Sequence, residues 1–511
     1  MTLTEISWDH HSHFTEGTTM SDSHMSQITS SHTAQRATQP HETAASPDRR
    51  RSMPADHPIL PIVIMMIGSF TAILNQTLMT SALPHLMLDF GVTSNTAQWL
   101  STGFMLTNGI MIPVTAFLIQ RFTTRQLFLY AIGMFLFGTL VCLCAPGFWV
   151  LLAGRVLQAT GAGILMPLLQ TVLFLTFPPS QRGTAMGWFG MVIAFAPAIG
   201  PTLSGLIIDL LPWRFLFVPL VVIAVAVLVA AIPTVRNVTP QTDPTIDVPS
   251  VTLSTLGFGG LLLGFSLAGQ SGWAATDTLV SLAVGAVALV AFVVRQLRLP
   301  RPLLDFRVFA RPMFTLPMIV IVLVFVTFIA TMNILPMFIQ NVLGMTALQS
   351  GLLLAGGGIA EGVFNPVAGR LFDRVGIRRI APPAIAVIAA ASFALSRMDA
   401  DTPAWYPAVC FTLMMTGVAF CLMPLTTTAL NQLTGPLIPH GTAMNNTLRQ
   451  TCAAIGIAIC FTVMTTNTLP ASAAGSAAAG LAHGVDAVFV VSTVTSIVAF
   501  ALSLLVRDGR R

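Results

Sequence analysis

From residue 59 onward the chain alternates long apolar runs with short polar intervals. Fourteen apolar segments can be counted, at 59–80, 98–118, 127–145, 149–176, 184–207, 213–234, 251–270, 276–296, 313–338, 349–369, 377–397, 404–430, 445–467 and 485–506. Most approach the ~20 residues an α-helix needs to cross ~30 Å of hydrocarbon. A helix satisfies its own backbone hydrogen bonds, which a lone strand in lipid cannot do. The pattern therefore predicts an all-α integral membrane protein with 14 transmembrane helices.

The polar intervals test that count, because positive charge is retained in cytoplasmic loops. With the N-terminus inside, the inside intervals carry Arg121 and Arg125, then Arg182, then Arg236, then Arg295, Arg298, Arg301, Arg307 and Arg311, then Arg370, Arg374, Arg378 and Arg379. The C-terminal tail adds Arg507, Arg510 and Arg511, while the outside intervals hold only Arg397 and, at a helix mouth, Arg214. The inside interval 431–444 has no Arg and adds no support. One helix too many or too few would invert the later part of the pattern, so both termini are expected in the cytoplasm.

Residues 1–57 differ in kind: they are polar, lack periodicity and hold seven of the ten His. Such a segment reads as a disordered cytoplasmic tail, with weak metal binding by its His as the lesser alternative. No apolar core lies near Met1, so no cleavable signal peptide is expected.

Composition sharpens the class. Apolar residues make up 54% of the 511 residues and charged residues 8%, against roughly 25% charge in a soluble domain. All 24 basic residues are Arg. Without Lys, neither a Walker-type phosphate loop nor a Schiff-base Lys can be built. The net charge of +5 is spread over loops and gives no nucleic-acid footprint. Cys142, Cys144, Cys410, Cys421, Cys452 and Cys460 all lie in apolar segments and read as small core residues; no metal-ligand spacing is present, and no metal is expected.

The chain also repeats itself. Leu83-Pro84 ends the first segment and Leu335-Pro336 lies near the end of the ninth; Gly183-Thr184-Ala185-Met186 opens the fifth and Gly441-Thr442-Ala443-Met444 precedes the thirteenth. The loop from Ala116 to Arg125 corresponds to that from Gly369 to Arg379; the three offsets are 252, 258 and 253 residues. Their agreement implies two pseudo-symmetric six-helix halves, at 58–235 and 312–511, with a linker at 236–311 carrying two inserted helices. Parallel repeats of this kind place a substrate path at their interface.

Several stretches carry chemistry. Gly369-Arg370-Leu371-Phe372-Asp373-Arg374-Val375-Gly376-Ile377-Arg378-Arg379 places an Asp in a tight, Gly-bounded, basic turn, where it can pair with Arg, cap a helix end and latch one conformation. In the first-half counterpart Gln120 stands at the Asp position and Thr123 at the second Gly, so the same latch is in doubt there. Gly154-Arg155-Val156-Leu157-Gln158-Ala159-Thr160-Gly161 puts an Arg inside a span, at ~2.5 kcal/mol or more on insertion scales, so it should face a cavity or a partner. Ala196-Pro197-Ala198-Ile199-Gly200-Pro201-Thr202-Leu203-Ser204-Gly205 combines small residues with prolines, which predicts a kinked, closely packed helix where the halves meet.

These stretches resemble the fourteen-helix drug:proton antiporter branch of the major facilitator superfamily, the multidrug and lincomycin-resistance type of exporter, over residues 59–506. The segment Trp213 to Pro219 and the dyad Arg449-Gln450 look like further landmarks of that family. The resemblance implies the major facilitator fold, a role for Arg155 in proton coupling, an antiporter motif at Pro197, Gly200, Pro201 and Gly205, and a cytoplasmic gating loop at Gly369, Asp373, Arg374, Gly376 and Arg378. The family commonly has Asp where Asn75 stands; Asn cannot titrate, so that proton site is absent, and Ser204 replaces a Gly of the antiporter motif. Asn75, Gln76, Gln158 and Asn333 are the polar candidates for the substrate cavity.

One acidic residue remains near mid-helix, Glu361. A carboxyl withdrawn from water favours its neutral form, so Glu361 is expected to be the principal protonation site, with a charge-paired structural role or a cation-ligand role as alternatives. The expected activity is proton-driven efflux of amphipathic or cationic drugs across the bacterial cytoplasmic membrane, by a monomer whose partners are the drug, protons and the bilayer, with no cofactor beyond the proton gradient. A dedicated exporter of one metabolite, antibiotic, lipid or peptide is the narrower alternative. An enzyme is not expected, since embedded charges are few and no zinc-type helix spacing occurs, and no nucleotide-binding domain is present for an ATP-driven pump.

Overall fold

The computed structural model describes residues 59–239, 241, 247–470, 472 and 476–508. The tail at 1–57, part of the linker and the last three residues lie outside the described residues. Fourteen helices are long and apolar enough to cross a membrane: α1 (Ile59–Phe90), α2 (Ser94–Arg121), α3 (Thr124–Leu143), α4 (Phe148–Thr176), α5 (Arg182–Leu210), α6 (Phe217–Thr234), α7 (Val248–Ser271), α8 (Thr276–Arg298), α9 (Pro312–Asn341), α10 (Ala347–Val375), α11 (Ile377–Leu395), α12 (Trp405–Leu430), α13 (Ile438–Asn467) and α14 (Ala477–Ser503). All fourteen apolar segments are helices, and no strand occurs among the described residues.

Helix ends follow from local chemistry. Gly91 closes α1 at φ +60°, and two residues later Thr93 caps α2 by accepting from the Thr96 N–H at 3.3 Å. Gly344 closes α9 at φ +68°, and Thr346 caps α10 by accepting from the Gln349 N–H at 3.2 Å. These pairs repeat at the same 253-residue spacing as the basic loops. A left-handed residue favours Gly because it has no Cβ, and a Thr oxygen satisfies an N–H that the first turn leaves open.

Three boundaries differ from the sequence reading. Leu83-Pro84 lies within α1, because the chain turns only at Gly91. Gly441 to Met444 lies within α13, which starts at Ile438 with Pro439 preset for a first turn. Gly369, Asp373 and Arg374 belong to the last turns of α10 rather than to a loop; the break comes only at Gly376, at φ +81°, and Arg378 already belongs to α11. Asp508 then caps α11, accepting from the Ile377 N–H at 2.6 Å.

The two six-helix sets pack alike. Adding eight to a helix number in α1–α6 gives its counterpart in α9–α14. Helix α3 packs on α4 as α11 does on α12, α2 on α4 as α10 on α12, and α1 on α5 and α6 as α9 on α13 and α14. Between the sets, α5 packs on α10 and α2 on α13, again counterparts. The inserted pair α7–α8 breaks the symmetry, for α7 packs on both α2 and α13 and walls that seam alone. Phenylalanines fill the interior of both sets, including Phe128 and Phe135 in one and Phe314, Phe338 and Phe489 in the other. Val222 and Val229 on α6 and Val287 and Val290 on α8 are exposed, as lipid-facing side chains should be. Four of the six Cys are buried; Cys144, at the end of α3, is exposed and Cys452 half-buried.

Candidate functional site

Three constellations stand out: a buried cluster around Arg155, a buried carboxyl on α10 within electrostatic reach of a guanidinium on α13, and a set of bonds that joins the two sets at the Arg-rich end of the molecule.

Arg155 is 0% exposed. Small residues put it there. A Cβ on Gly154 would meet the Cys142 sulfur at 2.6 Å, and one on Gly161 would meet the Ala131 carbonyl at 2.2 Å, so α4 lies directly on α3. The guanidinium donates through Nη1 to Gln158 Oε1 at 2.9 Å and through Nε to the Leu100 carbonyl at 3.3 Å, and lies over the Phe104 ring at 4.3 Å. Gln158 also accepts from Asn75 Nδ2 at 3.2 Å and donates to the Thr139 hydroxyl at 2.9 Å. The cluster thus ties α1, α2, α3 and α4 together with neutral partners, and Arg155 forms no ion pair within 4.0 Å among the described residues.

Glu361 is 8% exposed and sits midway along α10. Its electrostatic partner is Arg449 of α13, whose guanidinium lies over the Phe325 ring of α9 at 4.5 Å. Asn365 Nδ2 donates to the Glu361 carbonyl at 2.9 Å. Glu361 and Arg155 are therefore in different helix sets with different neighbours. Sequence reasoning marked Arg449 only as a landmark; the available signal was an Arg inside an apolar span. It also passed over Asp486 in the third turn of α14, whose Oδ1 has no hydrogen-bond partner among the described residues.

The polar cavity candidates separate as well. Asn75 and Gln158 are buried against each other, Gln76 is half-buried, and Asn333 is exposed, with Nδ2 donating to the Ile329 carbonyl at 2.8 Å. A cavity of about 340 Å³ lies instead along the α2–α13 seam, walled by α7, with Gln98, Thr102, Ser266 and Phe461 among its lining residues. Its lining lies in the halves of α2, α7 and α13 remote from the Arg-rich loops.

At the Arg-rich end the sets are joined. Asp373 accepts from the Gly183 N–H at 2.9 Å, and from the Thr184 N–H at 2.7 Å and hydroxyl at 2.6 Å. Arg182 Nη1 donates to Asn431 Oδ1 at 2.9 Å, Thr171 and Thr442 share a hydroxyl bond of 2.8 Å, and Asn446 Nδ2 donates to Gln170 Oε1 at 2.6 Å. On the α2–α13 side, the Gln120 amide meets the His440 ring at 2.8 Å. Close packing of α5 on α10 continues inward. A Cβ on Gly187 would meet the Asn365 carbonyl at 2.6 Å, and one on Gly358 the Ala198 side chain at 2.8 Å. A Cβ on Gly205 or Gly351, toward the other end, would meet nothing within 4 Å.

The proline-containing stretch of α5 serves two contacts. A Cβ on Gly200 would meet the Thr77 hydroxyl of α1 at 2.1 Å, and Ser204 donates to the Leu78 carbonyl at 3.1 Å, while Ala198 faces α10. Pro197 is half-buried, and α5 runs as one helix through it and Pro201. At the far mouth, Arg214 pairs with Asp89 at 3.3 Å, and Trp213 Nε1 donates to the same carboxylate at 2.9 Å.

Comparison with known proteins agrees with this architecture. The sequence model of the family described as Major Facilitator Superfamily matches residues 65–461. An uncharacterized MFS-type transporter, YcnB, of Bacillus subtilis (strain 168) is 47% identical over 88% of this chain and 95% of its own length. The lincomycin resistance protein LmrB of Listeria monocytogenes serovar 1/2a is 40% identical over 89% of this chain and 98% of its own. Among solved structures, the human organic anion transporter MFSD10 superposes with a TM-score of 0.64 at 13% identity, over 88% of this chain and all of that one.

Proposed function

Because the chain belongs to the Major Facilitator Superfamily, and is a multi-pass membrane transporter rather than an enzyme, we propose that it exports amphipathic or cationic drugs in exchange for protons. The membrane is the bacterial cytoplasmic membrane, and the Arg-rich end with both termini faces the cytoplasm. The name of the Listeria relative, a lincomycin resistance protein, supports drugs as the substrate class.

The observation that carries the coupling is the Glu361 carboxyl, buried in the middle of α10 within electrostatic reach of Arg449. As a carboxylate it balances Arg449. On taking a proton it becomes neutral and frees that charge. Either change alters the balance at the centre of the α9–α14 set, where a drug cation and a proton would compete for one negative charge. A site that cannot hold both at once gives exchange rather than co-transport.

The conformation fits the releasing half of the cycle. With the Arg-rich end in the cytoplasm, the bonded end faces in, and the cavity lining lies toward the outside. A drug would leave and Glu361 would receive its proton from outside. Return to the inward-open state requires the bonds of Asp373, Arg182, Thr171, Asn446 and Gln120 to break together, which makes closure a two-state event. Arg155 keeps α1–α4 together as one body during that movement. Protons are the energy source; no other cofactor enters, and the unit is the monomer.

The test is efflux of a fluorescent lipophilic cation from proteoliposomes under an imposed pH gradient, with wild type beside Glu361→Gln. Gradient-dependent pumping lost in the variant supports antiport through Glu361. Equal pumping by both moves the proton site elsewhere. No dye movement in either favours a single dedicated substrate.

A further inference from the structure

We infer that the cavity between α2, α7 and α13 binds an uncharged amphipathic molecule, which buries an apolar body at the inner end and gives a hydroxyl or carbonyl to polar side chains of α2 and α7. The inference deepens the export reading above and rests on it only for the ligand being cargo.

Each of the three helices turns one face to the cavity. The stripe on α13, Ala454, Ile457, Ala458 and Phe461, has the spacing of a single helix face, and the stripes on α2 and α7 follow the same rule. Helix α2 runs toward the Arg-rich end, and α7 and α13 run away from it. Gln98 and Gly269 therefore share the outer layer with Phe461, Thr102 and Ser266 share the middle layer with Ala458, and Leu106 and Leu262 share the inner layer with Ala454. Polar groups occupy the outer and middle layers, on α2 and α7 alone. The inner layer and the whole α13 wall are apolar. Among the described residues, none of the lining comes from α10 and none carries a charge.

Packing explains why space remains here. Nearer the Arg-rich end the helices touch: a Cβ on Gly109 would overlap Leu262 Cδ1 and would meet Gln450 Cγ at 3.4 Å. At the level of the cavity, α7 is tied to both neighbours. The Ser266 hydroxyl meets that of Thr102 at 3.4 Å. Trp273, just beyond α7, donates from Nε1 to the Thr462 hydroxyl of α13 at 2.6 Å, and packs edge-on against Phe265 with centroids 6.1 Å apart. These ties fix the walls, while the small side chains of Ala454, Ala458 and Gly269 leave the volume between them unfilled.

The chemistry of the lining selects the ligand. About 340 Å³ lies at the small end of the roughly 300–1,000 Å³ range of small-molecule sites, and a two-chain lipid does not fit it. A charged group placed there would lose water without gaining a countercharge, which is costly. A hydroxyl or carbonyl loses less and gains partners: the Gln98 amide both donates and accepts, and so do the hydroxyls of Ser101, Thr102 and Ser266. An apolar body rests on Leu106, Leu262 and Ala454, flanked by the Phe265 and Phe461 rings. The negative charge that would hold a cation belongs instead to Glu361, whose partner Arg449 precedes Ala454 on α13 by between one and two turns. An uncharged cargo thus has a place on the same helix that the carboxyl alone cannot give it.

The test is equilibrium binding to purified full-length protein in nanodiscs, with no gradient applied. One probe is tritiated chloramphenicol, which is uncharged and carries hydroxyls and an amide on an aromatic body. The other is tritiated tetraphenylphosphonium, a cation without hydrogen-bonding groups. Ala454→Phe fills the inner layer and should abolish chloramphenicol binding. Thr102→Val keeps the shape, removes one hydroxyl and should weaken that binding ~2- to 10-fold, the worth of one neutral hydrogen bond. Both variants should bind the cation as wild type does. Chloramphenicol binding that is absent from wild type, unchanged in Ala454→Phe, or lost together with cation binding in a folded variant overturns the inference. Should Ala454→Phe fail to fold, Thr102→Val decides alone, and an affinity equal to that of wild type overturns it. A failure of gradient-driven efflux leaves this binding result standing, and a failure of binding leaves the export reading standing.

Discussion

The Asp373 carboxylate of α10 holds Thr184 of α5 by both of its donors, the backbone N–H at 2.7 Å and the hydroxyl at 2.6 Å. A helix start has open N–H groups and a partial positive charge, and Gln181, at the cap position of α5, offers no side-chain bond. The cap therefore comes from the opposite helix set, which makes the start of α5 complete only while the Arg-rich end is closed.

Asp373→Asn keeps the shape and removes the charge. It should weaken closure by about 1.5–3 kcal/mol, the range for bonds to a charged group, which is a ~10- to 150-fold shift toward the opened state. The readout is thiol labelling of Met186→Cys, a buried position in the second turn of α5, in a cysteine-depleted background. Labelling as slow as in the Asp373 protein would remove the capping role.

Gly369→Ala should fail for a steric reason. Its Cβ would meet the Gly183 carbonyl oxygen at 2.2 Å and the Gly187 Cα at 3.1 Å, and neither backbone group can turn aside. Overpacking of this kind costs about 1–3 kcal/mol, here in the closed state. Gly351→Ala on the same helix meets nothing within 4 Å and should leave transport intact. Dye efflux from proteoliposomes compares the two at equal folded yield; equal activity would show that α5 and α10 need not touch so closely.

The legible part of this fold was whatever a single helix encodes. Hydropathy places all fourteen helices, since lipid exposure demands it of each span separately. The repeat could have been read further: Gly91 with Thr93 and Gly344 with Thr346 are helix stops and starts at matching positions, visible once Gly is read as a left-handed turn and Thr as a cap. The latch at Asp373 was legible as a capping Asp, but its location in a helical turn was not, because nothing before Gly376 marks where α10 ends. Pairings between helices were hidden. Gln120 and His440 are 320 residues apart in the chain, and only packing decides that they meet; packing likewise brings Arg449 within electrostatic reach of Glu361, 88 residues away. Asn75 drew notice in the sequence because it stands where the resembled family commonly has Asp; its bond to Gln158 inside the α1–α4 core could not be read from one helix.

Asp247, just before α7, receives Arg295 Nε and Nη2 at 2.7 Å each, one on either oxygen, and the Ser250 hydroxyl. The Arg295 bonds hold its carboxyl well below the ordinary range, at about 2, against a burial effect of opposite sign. A folded-state value below the unfolded one stabilises the fold above the unfolded value, and that stabilisation is lost as pH falls through the folded value. The clamp between α7 and α8 should therefore be at full strength from neutral pH down to about 5 and fade between about 4 and about 2. Thermal unfolding in detergent of wild type against Asp247→Asn should show a constant gap above pH 5 that closes below it. A gap that changes between pH 6 and 8 would assign the effect to another group.

Gln158 decides whether Arg155 is tolerated in the core. Its single oxygen accepts from both Arg155 and Asn75, and its nitrogen reaches Thr139. Gln158→Leu fills similar space but strips a fully buried cation of its side-chain acceptor, leaving the Leu100 carbonyl and the Phe104 ring. Removing a hydrogen bond to a charged group costs about 1.5–3 kcal/mol, so this variant should unfold at clearly lower temperature. Gln158→Glu restores an acceptor and adds a countercharge, losing only the donor to Thr139, and should be the more stable of the two. If both variants melt together, the charge on Arg155 is being satisfied elsewhere, and the α1–α4 body does not depend on this cluster. If only Gln158→Leu is weakened, and it loses transport where Gln158→Glu retains it, the buried Arg155 acts by keeping α1–α4 moving as one unit.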